Sequence, residues 1–428
     1  MKYYSTRDKS LLYSLKDAAI MGLAPDGGLF MPQYIPKADI DVVFRKAEKS
    51  FPEMASYLAW LFMEGDVDKD ALDEVCRQAF GFDVRLSHIE DDKYTLELFH
   101  GPTFAFKDFG AGFMGRMLGV LNGSGEDLTI LTATSGDTGS AVANGFYGVP
   151  GVKVVVLYPE GKVSDLQESQ MTTLGGNIFP LRVRGNFDDC QRIVKEIFSD
   201  SVFRAEKKVT SANSINILRW LPQSFYYFYG WYLWNSATGK YMPEITVPSG
   251  NYGNISAGML AKKMGLPVKG FIAASNANDI IPKYLETGVF EPKPSVHTVA
   301  NAMDVGNPSN YERILDLYGG SFASVKADVR GYSCGDGDIK KAIREMYGRY
   351  GYVSDPHSAV GYNAAVRYGA DGFWLSTAHR AKFAEVIEDA LGRDFPLPDA
   401  LERFLGKEKV FTPIDADTLA VEDFVRGL

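Results

Sequence analysis

At 428 residues, 46% of them hydrophobic, the chain is too long for one compact core, and two or three domains are expected. The formal net charge is −9 and no long block of Lys and Arg occurs, which excludes nucleic acid as an expected partner. The three cysteines lack disulfide or zinc-ligand spacing and no apolar run reaches ~18 residues, so we expect a cytoplasmic protein with no metal site and no membrane span.

The first 92 residues are mostly helical in pattern. Turn-forming residues at 24–32 come before helical periodicity from about Asp39 to Phe80. This pattern predicts a separate N-terminal domain over 1–92. We expect this domain to pack against the rest of the chain or to act as a lid.

From about Tyr94 onward, short β-rich runs alternate with amphipathic helices. Candidate strands lie at 128–132, 153–157 and 177–183, and candidate helices follow them at 138–146, 164–174 and 187–198. After an aromatic helix at about 214–235, strands resume at 244–247 and 268–274. Such alternation is typical of parallel sheets covered by helices. The sequence therefore predicts an α/β fold of two doubly wound lobes, 93–240 and 241–428, with a small-molecule site at their interface.

Lys107 lies in an aromatic-rich segment, residues 97–110, which reads Glu-Leu-Phe-His-Gly-Pro-Thr-Phe-Ala-Phe-Lys-Asp-Phe-Gly. The pattern predicts a strand at 94–99, a turn, and a helix that starts near Thr103 and carries Lys107 in its first turns. An amine among phenylalanines loses solvation, so its pKa falls and it becomes able to form a Schiff base. The alternative is a surface lysine paired with Asp108, because most lysines are solvated.

Three further segments follow candidate strands, where doubly wound sheets place their ligands. They are the hydroxyl- and glycine-rich loop at 132–140, the loop Pro-Ser-Gly-Asn-Tyr-Gly-Asn at 248–254, and Leu-Ser-Thr-Ala-His at 375–379. Glycines let the backbone approach a phosphate, and helix N-termini favour its charge. Neither glycine loop has the P-loop lysine or the dinucleotide-binding spacing. Each is therefore an anion-binding loop or a tight structural turn, and the Thr377 hydroxyl either contacts a ring nitrogen or caps a helix.

Together these segments resemble the signatures of bacterial and fungal threonine synthases. The resemblance rests on the motif around Lys107, on Thr-Ser-Gly-Asp-Thr-Gly at 134–139, on Ser-Gly-Asn-Tyr-Gly-Asn at 249–254 and on Ser-Thr-Ala-His at 376–379. It runs nearly end to end and includes residues 3–7, 24–30 and 213–219. It implies a fold-type II enzyme dependent on pyridoxal 5′-phosphate, similar in architecture to the tryptophan synthase β chain, with a mainly helical N-terminal domain.

The resemblance also implies the roles of the cofactor-binding residues. Lys107 would form the Schiff base with the cofactor, and Thr377 would hydrogen-bond its pyridine nitrogen. Asp137 stands where many relatives of this fold have an asparagine that contacts the cofactor's phenolic oxygen, and a carboxylate makes that contact only with a shared proton. The cofactor phosphate would lie in a loop formed by Gly250, Asn251, Tyr252, Gly253 and Asn254.

The implied reaction converts O-phospho-L-homoserine and water to L-threonine and inorganic phosphate, the last step of threonine biosynthesis. The α-carboxylate of the substrate would be bound by Thr134, Ser135 and Thr138. Its phosphate needs local cations in an acidic protein, and Arg219 with Asn213 is the best candidate clamp. The alternative for Arg219 is a bridge to a surface carboxylate.

Two other functions compete with this one. A lyase that releases 2-oxobutyrate, ammonia and phosphate from O-phosphohomoserine would share these motifs, and the product separates it from a synthase. A non-catalytic metabolite-binding descendant has no need of a Schiff-base amine, so the retention of Lys107 argues against it. We further expect a monomer or homodimer, and no long N-terminal regulatory extension, because the chain starts close to the first family motif.

Overall fold

Strands and helices alternate along most of the chain. The fold is that of a computed structural model, which describes residues 1–123 and 127–428. In that part the strands are β1 (Tyr3–Ser5), β2 (Phe30–Pro32), β3 (Arg85–Glu90), β4 (Lys93–Glu97), β5 (Leu128–Ala133), β6 (Val152–Pro159), β7 (Ile178–Arg184), β8 (Val209–Ser211), β9 (Glu244–Pro248), β10 (Gly270–Ser275), β11 (Val329–Ser333), β12 (Gly372–Ser376) and β13 (Thr412–Asp415).

The α-helices in the same described ranges are α1 (Leu15–Met21), α2 (Ile40–Ala47), α3 (Phe51–Met63), α4 (Lys69–Ala79), α5 (Lys107–Asn122), α6 (Asp137–Phe146), α7 (Asp165–Thr172), α8 (Phe187–Ser199), α9 (Ser201–Glu206), α10 (Ile217–Trp220), α11 (Phe225–Thr238), α12 (Gly253–Met264), α13 (Ile280–Thr287), α14 (Tyr311–Leu317), α15 (Phe322–Asp328), α16 (Asp336–Tyr350), α17 (Pro356–Tyr368), α18 (Ala384–Leu391), α19 (Asp399–Glu402) and α20 (Thr418–Arg426). None of these helices combines the length and the apolar character that crossing a membrane requires.

Two sheets of mostly parallel strands form the body of the protein. The larger has six strands in the order β11-β10-β9-β12-β4-β3, and only β3 runs antiparallel to its neighbour. The smaller has five parallel strands in the order β13-β7-β6-β5-β8. Every residue of the inner strands β5 and β9 is buried, as expected for strands covered by helices on both faces. The predicted α/β fold with two lobes is confirmed.

The chain passes between the two sheets more often than the sequence suggested. β4 lies just before Lys107, yet it pairs with β12 in the six-stranded sheet. β13, near the C-terminus, pairs with β7 in the five-stranded sheet. Each sheet therefore contains strands from both of the predicted lobes, 93–240 and 241–428. The division of the chain into 1–92, 93–240 and 241–428 stays a prediction about folding units.

The N-terminal helices share one hydrophobic core with α5 and α11. The ring of Phe51 in α3 packs edge-on against Phe109 of α5, with ring centroids 5.4 Å apart, and against Tyr229 of α11. Phe80 stacks on Phe113 of α5 with a centroid distance of 5.9 Å. Aromatic contacts of this kind add to the free energy gained from burial. The N-terminal residues therefore buttress the helix that begins at Lys107.

Two helix boundaries differ from the expected ones. The aromatic stretch predicted as one helix at about 214–235 is divided into α10, a 3-10 turn at Leu221–Ser224, and α11. Pro222 lies in that turn, where its missing N–H and fixed φ disfavour a continuous α-helix. The helix expected to start near Thr103 starts at Lys107 instead, because residues 101–106 make other contacts.

Candidate active site

The segment that leads into Lys107 runs beside the end of β12. The Phe106 N–H donates to the Thr377 carbonyl at 2.9 Å, and the His379 N–H donates to the Phe104 carbonyl at 3.0 Å. Phe104 has a φ of +60°, a conformation that no helix continues. These contacts explain why α5 begins only at Lys107, and they place Lys107 next to the Thr377 segment at the carboxyl edge of the six-stranded sheet.

Asp137, the first residue of α6, lies between two lysine side chains. Its Oδ2 is 3.6 Å from the Lys107 Nζ, and its Oδ1 is 2.8 Å from the Lys382 Nζ. The Gln167 amide also donates to Oδ1 at 2.8 Å. The carboxylate of Asp137 is therefore a shared acceptor that joins α5, α6, α7 and the 3-10 turn at Arg380–Phe383.

Burial and nearby charge control ionisation in this cluster. Burial lowers the pKa of Lys107, whose side chain is 18% exposed, although the Asp137 carboxylate opposes that effect. Burial alone would raise the pKa of Asp137, but Lys382 and Lys107 hold it well below its usual range. The site thus combines an ionised carboxylate with an amine that gives up its proton more easily than a solvated lysine.

Asp108 does not pair with Lys107, contrary to the alternative considered from the sequence. Its side chain is buried and accepts hydrogen bonds from the Thr103 N–H at 2.9 Å and the Thr103 hydroxyl at 2.5 Å. Burial raises the pKa of Asp108 to about 6, and the hydrogen bonds from Thr103 limit the rise. Asp108 therefore braces the loop before α5.

Segment 249–254 forms the turn between β9 and α12. Asn251 donates to the Ser214 hydroxyl at 2.7 Å and accepts from the N–H and the hydroxyl of Ser309, both at 2.8 Å. Tyr252 adopts a left-handed conformation with a φ of +61°, and no side chain caps the start of α12. The first N–H groups of α12 are thus left for another acceptor, as in anion sites at helix N-termini.

Asn254 connects this loop to the aromatic helix α11. Its Oδ1 accepts from the Tyr226 hydroxyl at 2.5 Å and from the Tyr227 hydroxyl at 2.8 Å. Its Nδ2 is buried and has no hydrogen-bond partner among the described residues. An unpaired buried donor is costly, so this group points to an acceptor from a ligand.

The loop after β5 holds the three residues predicted to bind a carboxylate. The Thr134 hydroxyl accepts from the N–H groups of Gly136 at 2.9 Å and Gly139 at 2.8 Å, so it shapes the loop itself. Ser135 is exposed and Thr138 is half-buried. Gly136 has a φ of +142°, and a Cβ there would collide with the Gln167 side chain. The backbone of this loop therefore requires glycine, while Ser135 and Thr138 remain accessible.

Arg219 is buried in α10 instead of bridging a surface carboxylate. Its guanidinium donates to the Ala212 carbonyl, while its Nε has no hydrogen-bond partner within the described part of the chain. Burial lowers the pKa of Arg219 to about 10. It lies close enough to Lys107 to lower the pKa of that amine as well. Asn213, in the same segment, accepts from the Thr132 hydroxyl at 2.9 Å at the end of β5.

Thr377 and His357 lie on either side of the same strand end. The Thr377 N–H donates to the Ser358 hydroxyl at 3.0 Å, and the Thr377 hydroxyl makes no hydrogen bond within the described residues. His357 is buried, with Nδ1 2.9 Å from Asp355 Oδ1 and Nε2 accepting from the Ala302 N–H at 3.1 Å. Both ring nitrogens of His357 are thus paired, whereas the Thr377 hydroxyl has no hydrogen-bond partner among the described residues.

Two residues of this cluster, Lys382 and Gln167, lie outside the sequence motifs that predicted the site. Lys382 offered a signal like that of Lys107, a cationic side chain flanked by Ala381 and Phe383 next to a strand-end motif. Gln167 offered none, because its contact with Asp137 depends on how α6 and α7 pack. The structure places Lys107 beside Asp137 and the Thr377 segment, and it joins the 213–219 segment to the end of β5 through Asn213 and to the 249–254 loop through Ser214.

Comparisons with known proteins cover almost the whole chain. Residues 93–372 match the family model for pyridoxal-phosphate dependent enzymes, residues 2–80 match the threonine synthase N terminus, and residues 358–425 match the threonine synthase C-terminal domain. The threonine synthase of Serratia marcescens is 43% identical over 94% of this chain and 93% of its own length. That of Saccharomyces cerevisiae is 36% identical over 91% of this chain and 89% of its own.

Solved structures agree with these sequence matches. The crystal structure of threonine synthase from Escherichia coli superposes with a TM-score of 0.92 at 40% identity, covering 100% of both chains. A threonine synthase from Brucella melitensis with pyridoxal phosphate bound superposes with a TM-score of 0.93 at 34% identity, covering 100% of this chain and 99% of the other. This chain therefore belongs to the threonine synthase family of pyridoxal-phosphate-dependent enzymes.

Proposed function

We propose that this protein converts O-phospho-L-homoserine and water to L-threonine and phosphate. The observation that carries the proposal is the half-buried Lys107 amine, which lies 3.6 Å from Asp137 Oδ2 and whose pKa is lowered by burial, with smaller contributions from Lys382 and Arg219. Family membership supplies the substrate, because the full-length relatives are threonine synthases. The charge near Lys107 supports it, because a dianionic substrate group would find a buried arginine there.

The residues at this site fit pyridoxal phosphate. The start of α12 has no side-chain cap, so its N–H groups and those of the 249–254 loop suit the cofactor phosphate. The unpaired Asn254 Nδ2 lies at the same helix start. The Thr377 hydroxyl suits the ring nitrogen, since it has no partner in the described residues. When bound, the cofactor supplies the electron sink for carbanion chemistry at the substrate.

Lys107 serves as the acid and base of the reaction in this proposal. An amine whose pKa is lowered by burial gives up and takes back its proton more easily than a solvated lysine does. The substrate protons to be moved are on Cα and Cβ. Lys107 is on the first turn of α5, and its flexible four-carbon stem would allow one amine to serve both positions. Asp137 orients that amine and stays ionised through contact with Lys382.

The two anionic groups of the substrate are bound at separate places. Ser135, Thr138 and the first N–H groups of α6 suit the α-carboxylate, while the Gly139 N–H in the same turn is already bonded to the Thr134 hydroxyl. Arg219, with its unpaired Nε, and Asn213 suit the phosphate that leaves. Holding both ends of the substrate orients the reacting carbons toward Lys107 and is a major source of rate enhancement.

The test is a product balance on the cofactor-loaded protein. O-Phospho-L-homoserine is added, and phosphate, threonine and 2-oxobutyrate are quantified in one sample, with Lys107→Ala in parallel. We expect threonine equal to phosphate for the wild-type protein and neither product for the variant. Phosphate matched by 2-oxobutyrate would establish a lyase instead, and no phosphate release from a cofactor-loaded protein would refute the substrate.

Arg219→Lys gives a sharper test of the phosphate clamp. A lysine keeps the charge but loses the planar fork that binds phosphate through two parallel hydrogen bonds. We expect kcat/KM to fall about 10- to 100-fold, as for loss of a charged hydrogen bond, with unchanged cofactor binding. An unchanged kcat/KM would remove Arg219 from the proposal.

Location and assembly are also part of the proposal. The protein is proposed to act in the cytoplasm as a monomer or homodimer, on a small-molecule substrate. Its three cysteines are free and buried, which suits a reducing compartment. Size-exclusion chromatography with light scattering will determine the mass in solution, and a mass above that of a dimer would contradict the assembly.

A further inference from the structure

We propose that Lys382 is a positioning residue for the reaction: its ammonium group pairs with Asp137 and thereby sets the protonation of Lys107. This inference deepens the proposed function and rests on it for the role of Lys107. It assigns Lys382 a place in the active site that the sequence motifs did not reveal.

The geometry gives Lys382 a complete set of partners. Its side chain is fully buried, and its Nζ lies 2.8 Å from Asp137 Oδ1, 2.8 Å from the Thr103 carbonyl and 3.3 Å from Gln170 Oε1. An ammonium group has three N–H donors, so these three acceptors use all of them. A fully buried lysine is uncommon and is stable only when it is paired in this way.

These contacts make Lys382 unsuited to proton transfer. If Lys382 donated an N–H to the substrate, one of its three buried acceptors would lose its hydrogen bond, and an unpaired buried acceptor costs free energy. Its contacts instead join two parts of the site. The Thr103 carbonyl belongs to the loop that also holds Asp108 and leads into Lys107, and Asp137 is the carboxylate beside the Lys107 amine.

Charge balance is the physical basis of the effect. Asp137 lies between two cations, and each of them compensates part of its charge. If Lys382 were absent, the whole carboxylate charge would act on Lys107, and the repulsion between the two lysines would also be lost. Both changes favour the protonated form of Lys107. The other groups that face the cluster are Asp108 on α5, Arg219 on α10, and the uncharged Gln167 and Gln170 on α7.

A double-mutant cycle on cofactor binding tests this proposal. Pyridoxal phosphate is added to the cofactor-free protein at a series of pH values, and the pH midpoint of the visible absorbance formed with Lys107 is measured. Lys382→Met should move the midpoint upward by about one pH unit, because it removes a positive charge that lowers the pKa of Lys107. Asp137→Asn removes the carboxylate and leaves the charge of Lys382 uncompensated, so it should move the midpoint downward. The double variant is electrically balanced again and should return close to the wild-type midpoint.

Lys262→Met is the matched control. Lys262 forms a Lys–Asp ion pair of the same length with Asp328, 2.8 Å, in the last turn of α12. Its midpoint should equal that of the wild type. If Lys382→Met does not fold, the downward shift of Asp137→Asn and its reversal in the double variant still decide the question.

Midpoints that shift in the same direction in both single variants, or not at all, would overturn the proposal. A purely structural role for Lys382 predicts that result, with weaker folding by circular dichroism and no opposed shifts. The titrations contain no substrate. The assignment of Lys382 can therefore fail while the product balance holds, and the product balance can fail while the opposed shifts are observed.

Discussion

Gly250→Ala should weaken cofactor binding through a collision in the phosphate loop. An alanine Cβ at this position would lie 2.5 Å from the Met303 Cα and 3.1 Å from its carbonyl carbon and oxygen. Normal contacts are about 3.5–4.0 Å, so one backbone must move by about 1 Å. Neither moves easily, because the Ser249 N–H is bonded to Ala274 and the Ala302 N–H to His357.

The expected magnitude follows from the cost of overpacking. Inserting a methyl group into a packed site costs about 1–3 kcal/mol. If the loop moves to relieve the collision, that energy appears in cofactor binding, as a rise in Kd of about 5- to 150-fold. Titrating the cofactor-free protein with pyridoxal phosphate and following the visible absorbance gives this Kd directly.

Gly348→Ala provides the control. Gly348 lies within α16, and no atom lies within 4 Å of a Cβ at that position. Alanine is favoured over glycine in a helix by about 0.5–1 kcal/mol, so this variant should bind cofactor normally and be slightly more stable. Equal Kd values for Gly250→Ala and the wild type would refute the argument that close backbone approach shapes the loop.

Three more predictions concern buried polar groups near Lys107 and the loop. Burial raises the pKa of Asp108 to about 6, so Asp108 should cost the wild type about 3 kcal/mol of unfolding free energy as the pH rises from about 4 to above 6. Thermal unfolding of Asp108→Asn should lack this loss. Unfolding free energies of the two proteins that run parallel with pH would contradict the prediction. Thr377→Val should bind cofactor about tenfold more weakly, whereas the thermal midpoint of the cofactor-free protein stays the same; a lower midpoint would show that the hydroxyl is structural. Asn254→Ala should cost about 1–3 kcal/mol in chemical denaturation, because the Tyr226 hydroxyl loses its short hydrogen bond; adding Tyr226→Phe should recover part of that loss, and a further loss would count against this account.

Much of the fold could be predicted because the strands are short, apolar and followed by helices. The predicted strand at 128–132 corresponds to β5, and the predicted helix at 187–198 corresponds to α8, each within one residue at the end. Strand order could not be read in the same way. The pairing of β4 with β12 and of β13 with β7 depends on contacts between segments far apart in sequence, and no local pattern encodes them.

The candidate site shows the same limit at the level of single residues. Lys107 was identifiable because its aromatic neighbours and motif lie next to it in sequence. The pairing of Lys382 with Asp137 was not, since it requires the turn at Arg380–Phe383 to meet the start of α6. The burial of Arg219 likewise arises from tertiary packing. A Cβ at Gly110 in α5 would meet the Arg219 backbone carbonyl at 2.8 Å, which shows how closely the two helices approach.

The late pairing of β13 has a consequence for synthesis on the ribosome. β7 is synthesised before its outer neighbour in the five-stranded sheet, residues 412–415. The following helix, α20, packs its buried Val421 and Val425 into the core that includes Ile193 and Ile197 of α8. A nascent chain therefore carries an open sheet edge until residues 412–415 have been made, and open edges favour aggregation. Expression of fragments that stop before residue 412 should for this reason yield insoluble material even when every active-site residue is present.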